Sequence, residues 1–164
     1  MSGETTSLQL SLKEQMDQLD TILNQYEQSL GLVIKQDSNI EKYINLGLEE
    51  IRKMPTVELA EVSYILSKYS MYIQKQHNIE MVRMNWAEHR IKKIISKELT
   101  QYKYSSYDER KQLAIANNEV AQKLDDIRNY AKARSDRISF ISSKLNEMSR
   151  SLNELQKARR NQNE

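Results

Sequence analysis

Residues 113–155, LAIANNEVAQKLDDIRNYAKARSDRISFISSKLNEMSRSLNEL, decide the fold. Leu113, Asn117, Val120, Leu124, Ile127, Ala131, Arg134, Ile138, Ile141, Leu145, Met148, Leu152 and Leu155 follow one another at steps of four and three without a slip. A repeat of 3.5 residues keeps one stripe of a helix turned toward a neighbouring helix in a left-handed seam. Asn117 falls on an a-type position, where a buried amide fixes register and copy number at some cost in stability. Leu113, Asn117, Val120, Leu124, Ile127, Ile138, Ile141, Leu145, Met148 and Leu152 are therefore the candidate oligomerisation residues.

The rest of the composition agrees with a chain of helices. It has three Gly, one Pro and no Cys in 164 residues, and 38% apolar residues with a single Phe and a single Trp. Globular domains carry roughly 45–50% apolar residues, so a thick monomeric core is not expected. An elongated assembly needs less, because each helix hides only a stripe. Without cysteine there are no disulfides or thiolate metal sites, which suits a reducing compartment. No apolar run approaches the ~18 residues of a membrane span, and residues 1–10 lack the basic start and apolar centre of a signal peptide. A soluble cytoplasmic protein with no membrane partner is expected.

The net charge of +2 conceals a division. Residues 1–55 carry five Lys/Arg against nine Asp/Glu, whereas residues 56–164 carry twenty against fourteen. An acidic arm on a basic body points to a polyanion for the body and another role for the arm. An unevenly charged, solvated surface is the plainer alternative.

The arm has a heptad run of its own: Leu12, Met16, Leu19, Leu23, Tyr26, Leu30, Val33, Asp37, Ile40, Ile44, Gly47, Ile51 and Met54. Ser38 followed by Glu41 resembles a capping box, so a break there and a fresh helix over 39–53 are expected. Pro55 stops that helix, since it has no amide hydrogen and crowds the preceding turn, and Thr56 is placed to cap the next. No breaker interrupts 57–103, a helix of about 70 Å at 1.5 Å per residue. Ser106 and Glu109 form another capping box that opens a helix over 107–158. A short connection between two long helices makes an antiparallel hairpin. The expectation is all-α and oligomeric: an acidic helical arm over 1–55, a basic long antiparallel hairpin with coiled-coil-type packing over 56–158, and a disordered tail over 159–164.

Little of the sequence suits catalysis. His77 and His89 stand twelve residues apart, too far for shared coordination on one helix. The pairs Asp125–Asp126 and Glu49–Glu50 diverge by about 100° on a helix, and the three glycines are isolated. No enzyme activity, cofactor or metal is expected.

The stripe that stands out is Arg83, Trp86, Arg90, Lys93 and Lys97, spaced three, four, three and four, beside an apolar stripe of Met84, Ala87, Ile91 and Ile94. Lys92 and Lys103 broaden the charge. Cations hold the phosphates of single-stranded nucleic acid while aromatic rings stack on its bases, and both are present here. The alternative is a solvated face with Trp86 as a core anchor. A second cluster, Arg128, Lys132, Arg134 and Arg137, lies midway along the heptad stretch. Arg134, on the seam itself, either pairs with an acid or faces a groove that carries nucleic acid.

Residues 61–102 resemble the UvsY family of recombination mediators of T-even-like phages. The order of features is Tyr69-Ser70, Tyr72, Lys75, His77, Ile79, then a basic stretch ending near Lys97 before Tyr102. Leu124-Asp125-Asp126-Ile127-Arg128 and the 134–138 region look like that family's C-terminal helix. The resemblance covers roughly residues 57–140 and implies a small, α-helical, oligomeric protein. It further implies that the chain binds single-stranded DNA and helps a RecA-like recombinase displace the single-strand-binding protein, in a bacterial host cytoplasm. The family's DNA-binding positions fall near Ile95 and Lys97; Lys97 keeps the charge, and Lys92 or Lys93 has to stand in for the other. The contrasting expectations are a coiled-coil scaffold without a nucleic-acid role and an adaptor that holds a protein partner with its acidic arm.

Overall fold

The computed structural model describes residues 11–31, 39–100 and 106–162, and all its regular structure is helical. In order these are α1 (Leu12–Ser29), α2 (Ile40–Ile44), α3 (Leu48–Lys53), α4 (Thr56–Ile95), a single 3-10 turn at Glu98–Thr100, α5 (Tyr107–Ala116), α6 (Glu119–Ile138) and α7 (Ile141–Gln162). Met1–Leu10, the Ser38 half of the expected capping box, and the connection holding Tyr102 and Lys103 lie outside the described residues.

Local chemistry explains most of the boundaries. Ser11 caps α1 by accepting from the Glu14 amide, while the Glu14 carboxylate accepts from the Ser11 amide at 2.7 Å. At its other end Gly31 takes φ +69° and its amide reaches Gln28 O, the left-handed closure that glycine makes without a steric cost. Ser106 and Glu109 form the expected reciprocal cap on α5. Pro55 does end the preceding helix, but Thr56 is the first residue of α4 rather than its cap, and the Pro55 carbonyl accepts from the Leu59 amide.

Three expected helices are shorter than their apolar spacing implied. The stretch expected over 39–53 divides into α2 and α3, because the Gly47 amide turns to Glu50 Oε2 at 2.7 Å and starts a new helix. The stretch expected over 57–103 leaves the α-helix at Ile95. The stretch expected over 107–158 divides at Asn117–Asn118 and again at Ser139–Phe140. Asn118 Oδ1 accepts from the Ala121 amide at 3.0 Å and so caps α6; Ser139 Oγ donates to Asp136 O at 2.9 Å. Short polar side chains compete with the helix for its own backbone groups. Residues 159–162, expected in a disordered tail, belong to α7, and the Arg159 guanidinium donates to the carbonyls of Ile51 and Arg52 at 3.0 and 2.8 Å.

The chain divides into two compact units, each joining segments distant in sequence. One contains α1 together with residues 82–129. In it Ala87, Ile91 and Ile95 of α4 are fully buried against Ala114, Ala121 and Leu124, with Leu12, Trp86, Leu99, Ile115 and Ile127 at the margin. The other contains residues 39–81 and 130–162. Its core is Leu59, Val62, Leu66 and Ile73 of α4 with Ile40, Leu145 and Leu152, bordered by Tyr43, Leu46, Ile51, Met54 and Ile138.

Small residues set the helix contact in this second unit. Ser63 Oγ donates to Ser149 O at 3.0 Å and Ser149 Oγ returns a bond to Ser63 O at 2.9 Å. Seven residues on, Ser70 Oγ donates to Ser142 O at 3.0 Å, with the two hydroxyls 2.9 Å apart. Partners step by seven in opposite directions along α4 and α7, so the two run antiparallel. Their backbones approach closely because Ser places no bulk between them, and each hydroxyl, being buried, satisfies its hydrogen bond across the contact.

Candidate nucleic-acid interface

The cationic stripe belongs to the last third of α4, within the unit formed by α1 and residues 82–129. Ala87, Ile91 and Ile95 turn inward, so the residues one position away are carried outward by the 100° rotation per residue of the helix. Trp86 lies at the edge, half-buried against that core. The Arg90 guanidinium stands over its ring, 5.3 Å from the centroid. Arg90, Lys93 and Lys97 are all exposed, and among the described residues none is held by a carboxylate. Lys97 sits just beyond the end of α4.

The other expected cations are placed differently. Arg83 does not face solvent with the stripe: its Nε and Nη2 grip Asp20 of α1, with Nε–Oδ1 at 3.1 Å. Lys92 is 3.6 Å from Glu88, and Lys103 lies outside the described residues. Arg128 is half-buried, with Nη1 3.1 Å from Glu88 and Nη2 2.6 Å from Asp125. Lys132, Arg134 and Arg137 follow Arg128 on α6 but are assigned to the other unit. Lys132 and Arg137 are exposed there, while Arg134 Nη1 lies 3.6 Å from the buried Glu80.

Glu88 anchors the polar side of the site. It receives Lys111 Nζ at 2.8 Å as well as Arg128. Burial pushes its carboxyl up, but the hydrogen bonds and charges of Lys111 and Arg128 outweigh that and hold it at about 2. A carboxylate that firmly ionised fixes two cations as structural groups and leaves Arg90, Lys93 and Lys97 as the stripe's free positive charge. Neither Lys111 nor Asp20 was singled out in the sequence, since their roles depend on which helix packs where. The one available signal was the acidity of α1, which carries Glu14, Asp17, Asp20 and Glu27 against Lys13.

The expected oligomerisation residues separate into two sets. Leu124, Leu145 and Leu152 are buried within the chain's own cores, with Ile127 and Ile138 partly so. Their side chains are thus engaged, wholly or in part, by packing within the chain. Leu113, Val120, Ile141 and Met148 are exposed. Asn117 is exposed too and ends α5, its amide reaching Leu113 O.

Among the described residues no three His, Asp or Glu side chains are grouped to share a metal ion, and no helix is long and apolar enough to cross a membrane. No known family, curated protein or solved structure matches this chain.

Proposed function

We propose that this chain binds single-stranded DNA along Arg90, Lys93 and Lys97, with Trp86 beside them, and serves as a recombination mediator. Its role is to help load a RecA-like recombinase onto DNA covered by single-strand-binding protein, as a cytoplasmic homo-oligomer rather than an enzyme. The observation that carries this is three exposed, carboxylate-free cations at helical spacing around a half-buried tryptophan. Phosphates are held by such charges without base specificity, and the aromatic face adds sequence-tolerant stacking. The larger architecture proposed with it is a long antiparallel helical hairpin, packed in coiled-coil fashion and repeated around an oligomer. Several modest sites on linked protomers then act at high effective concentration, and each stays weak enough to hand its strand on. The mediator role itself rests on the family resemblance of residues 57–140.

The exposed Leu113, Val120, Ile141 and Met148 favour a second reading, a coiled-coil scaffold without a nucleic-acid role. A titration with single-stranded and duplex DNA at two salt concentrations separates the two. A mediator prefers the single strand, whereas a scaffold binds neither. Changing Arg90, Lys93 and Lys97 together to Ala should weaken single-strand binding and lower the log–log salt slope by about 2, at ~0.7 per lost phosphate contact. Helicity should persist, since surface substitutions stay within roughly 0.5 kcal/mol. Unchanged affinity and slope would remove this face as the site. Binding without faster recombinase loading in a reconstituted assay would leave a DNA-binding protein that is not a mediator.

A further inference from the structure

The first half of α4 has an outward face left exposed among the described residues. Val57, Tyr64 and Met71 recur at intervals of seven and are 71%, 68% and 54% exposed. Ala60 and Ser67 lie between them, and Val57, Ala60, Glu61, Tyr64 and Ile65 line a shallow open groove. Steps of three, four, three and four through Val57, Ala60, Tyr64, Ser67 and Met71 make a seam on the side of α4 that does not hold Leu59, Val62, Leu66 and Ile73. An exposed apolar stripe at that period is the pattern of a helix with a partner.

We propose that this face docks a second copy of the same chain, α4 against α4 and antiparallel, about a two-fold axis beside Tyr64 and Ile65. Charge selects both the occupant and the direction. Glu61 and Lys68 are exposed, seven residues apart, and on the same flank of the stripe; the opposite flank carries the small Ala60 and Ser67. A two-fold axis perpendicular to both helices carries each flank onto itself. Residue i then stands level with residue 129 − i of the other copy, so Glu61 meets Lys68 and Lys68 meets Glu61. The same operation brings the two Tyr64 side chains together at the centre, one residue out of level, and sets Val57 within one residue of level with Met71 at either end. This is the reciprocity of an isologous interface, in which one patch is its own complement. A parallel pair instead turns the Glu61–Lys68 flank toward Ala60 and Ser67, which offer no charge. The inference does not rest on DNA binding, since Arg90, Lys93 and Lys97 lie outside this seam.

Sedimentation equilibrium on the full chain tests it through charge reversal. Glu61→Lys and Lys68→Glu should each lower the assembly mass to half that of the parent at the same concentration, because each sets like charges opposite one another. The double variant carrying both changes should regain the parent mass, with helicity constant throughout. Parent-like mass in both single variants, or a double variant as dissociated as the singles, would overturn the proposal. Direction has its own readout, since the chain has no native cysteine. Tyr64→Cys should link to itself through a short bifunctional maleimide. Val57→Cys should not, because the two Val57 positions are about 22 Å apart along the axis at 1.5 Å per residue. Equal self-linking at both positions would mean a parallel or non-specific contact and would reject the antiparallel pair. The Arg90, Lys93 and Lys97 triple variant should keep the parent mass while losing DNA affinity, so failure of either idea leaves the other standing.

Discussion

Leu124→Ala should lower the stability of the unit formed by α1 and residues 82–129 by about 2–5 kcal/mol, the range for emptying a close-packed site that cannot fully collapse. Val120→Ala, four residues earlier on the same apolar repeat, should change it by less than roughly 0.5 kcal/mol. The contrast follows from burial: Leu124 is 0% exposed among Ala87, Ile91 and Ala121, whereas Val120 is 48% exposed. Urea unfolding followed by circular dichroism on both variants, at a fixed protein concentration, measures the difference. Equal losses would mean that Val120 is buried between copies, and that the repeat over 113–155 faces a second chain along its whole width. A concentration-dependent loss for Val120→Ala alone would carry the same meaning.

That pair of residues also shows what the sequence made legible. Scarce Gly and Pro announced an all-helical chain, Pro55 marked a real boundary, and Ser106–Glu109 marked a real cap. The apolar repeat, read as an oligomerisation seam, includes Leu124, Leu145 and Leu152, which are buried within the chain. It did not separate these from its exposed members. Counting large apolar side chains selects Leu113, Val120, Ile141 and Met148, all exposed, whereas the row one position on is Ala114, Ala121, Ser135, Ser142 and Ser149, all buried. Hydropathy does not register a serine that is buried because it is small and hydrogen-bonded across to another helix. The helix interruptions were hidden for a related reason: Asn118 and Ser139 act through single hydrogen bonds to nearby backbone groups, and periodicity carries no trace of them.

The cationic site was legible in part for an electrostatic reason. Sequence spacing correctly placed Arg90 and Lys93 on one face of α4 and Trp86 beside them. It could not tell which cations keep their charge for a ligand, because that depends on acids brought from elsewhere. Asp20 comes from 63 positions away to hold Arg83. Glu88 holds Lys111 and Arg128, 23 and 40 positions off. Three of the stripe's members remain free; the others are part of the scaffold. The acidic arm and basic body expected from charge alone are thus joined at Asp20–Arg83, inside one compact unit.

Glu88 makes that scaffold sensitive to acid. Its carboxyl titrates at about 2 in the folded chain against an ordinary value of 4.5. A group depressed by folding contributes stability that is complete above its unfolded value and is lost as pH falls toward its folded one. The window is therefore about pH 4.5 down to about 2. At 1.36 kcal/mol per unit, and with the carboxyl partly open to water, the loss is on the order of 2–3 kcal/mol. Glu88→Gln should remove this amount at pH 7, because Lys111 and Arg128 stay mostly buried with a neutral amide in place of their counter-charge. The gap between parent and variant in urea midpoints should be widest at pH 7 and should close as pH approaches 2. Carboxylates common to both proteins titrate in both and cancel from that difference. A gap of constant size from pH 7 to pH 2.5 would show that Glu88 acts by packing alone. A closing gap assigns to ionised Glu88 the work of keeping Lys111 and Arg128 in the fold.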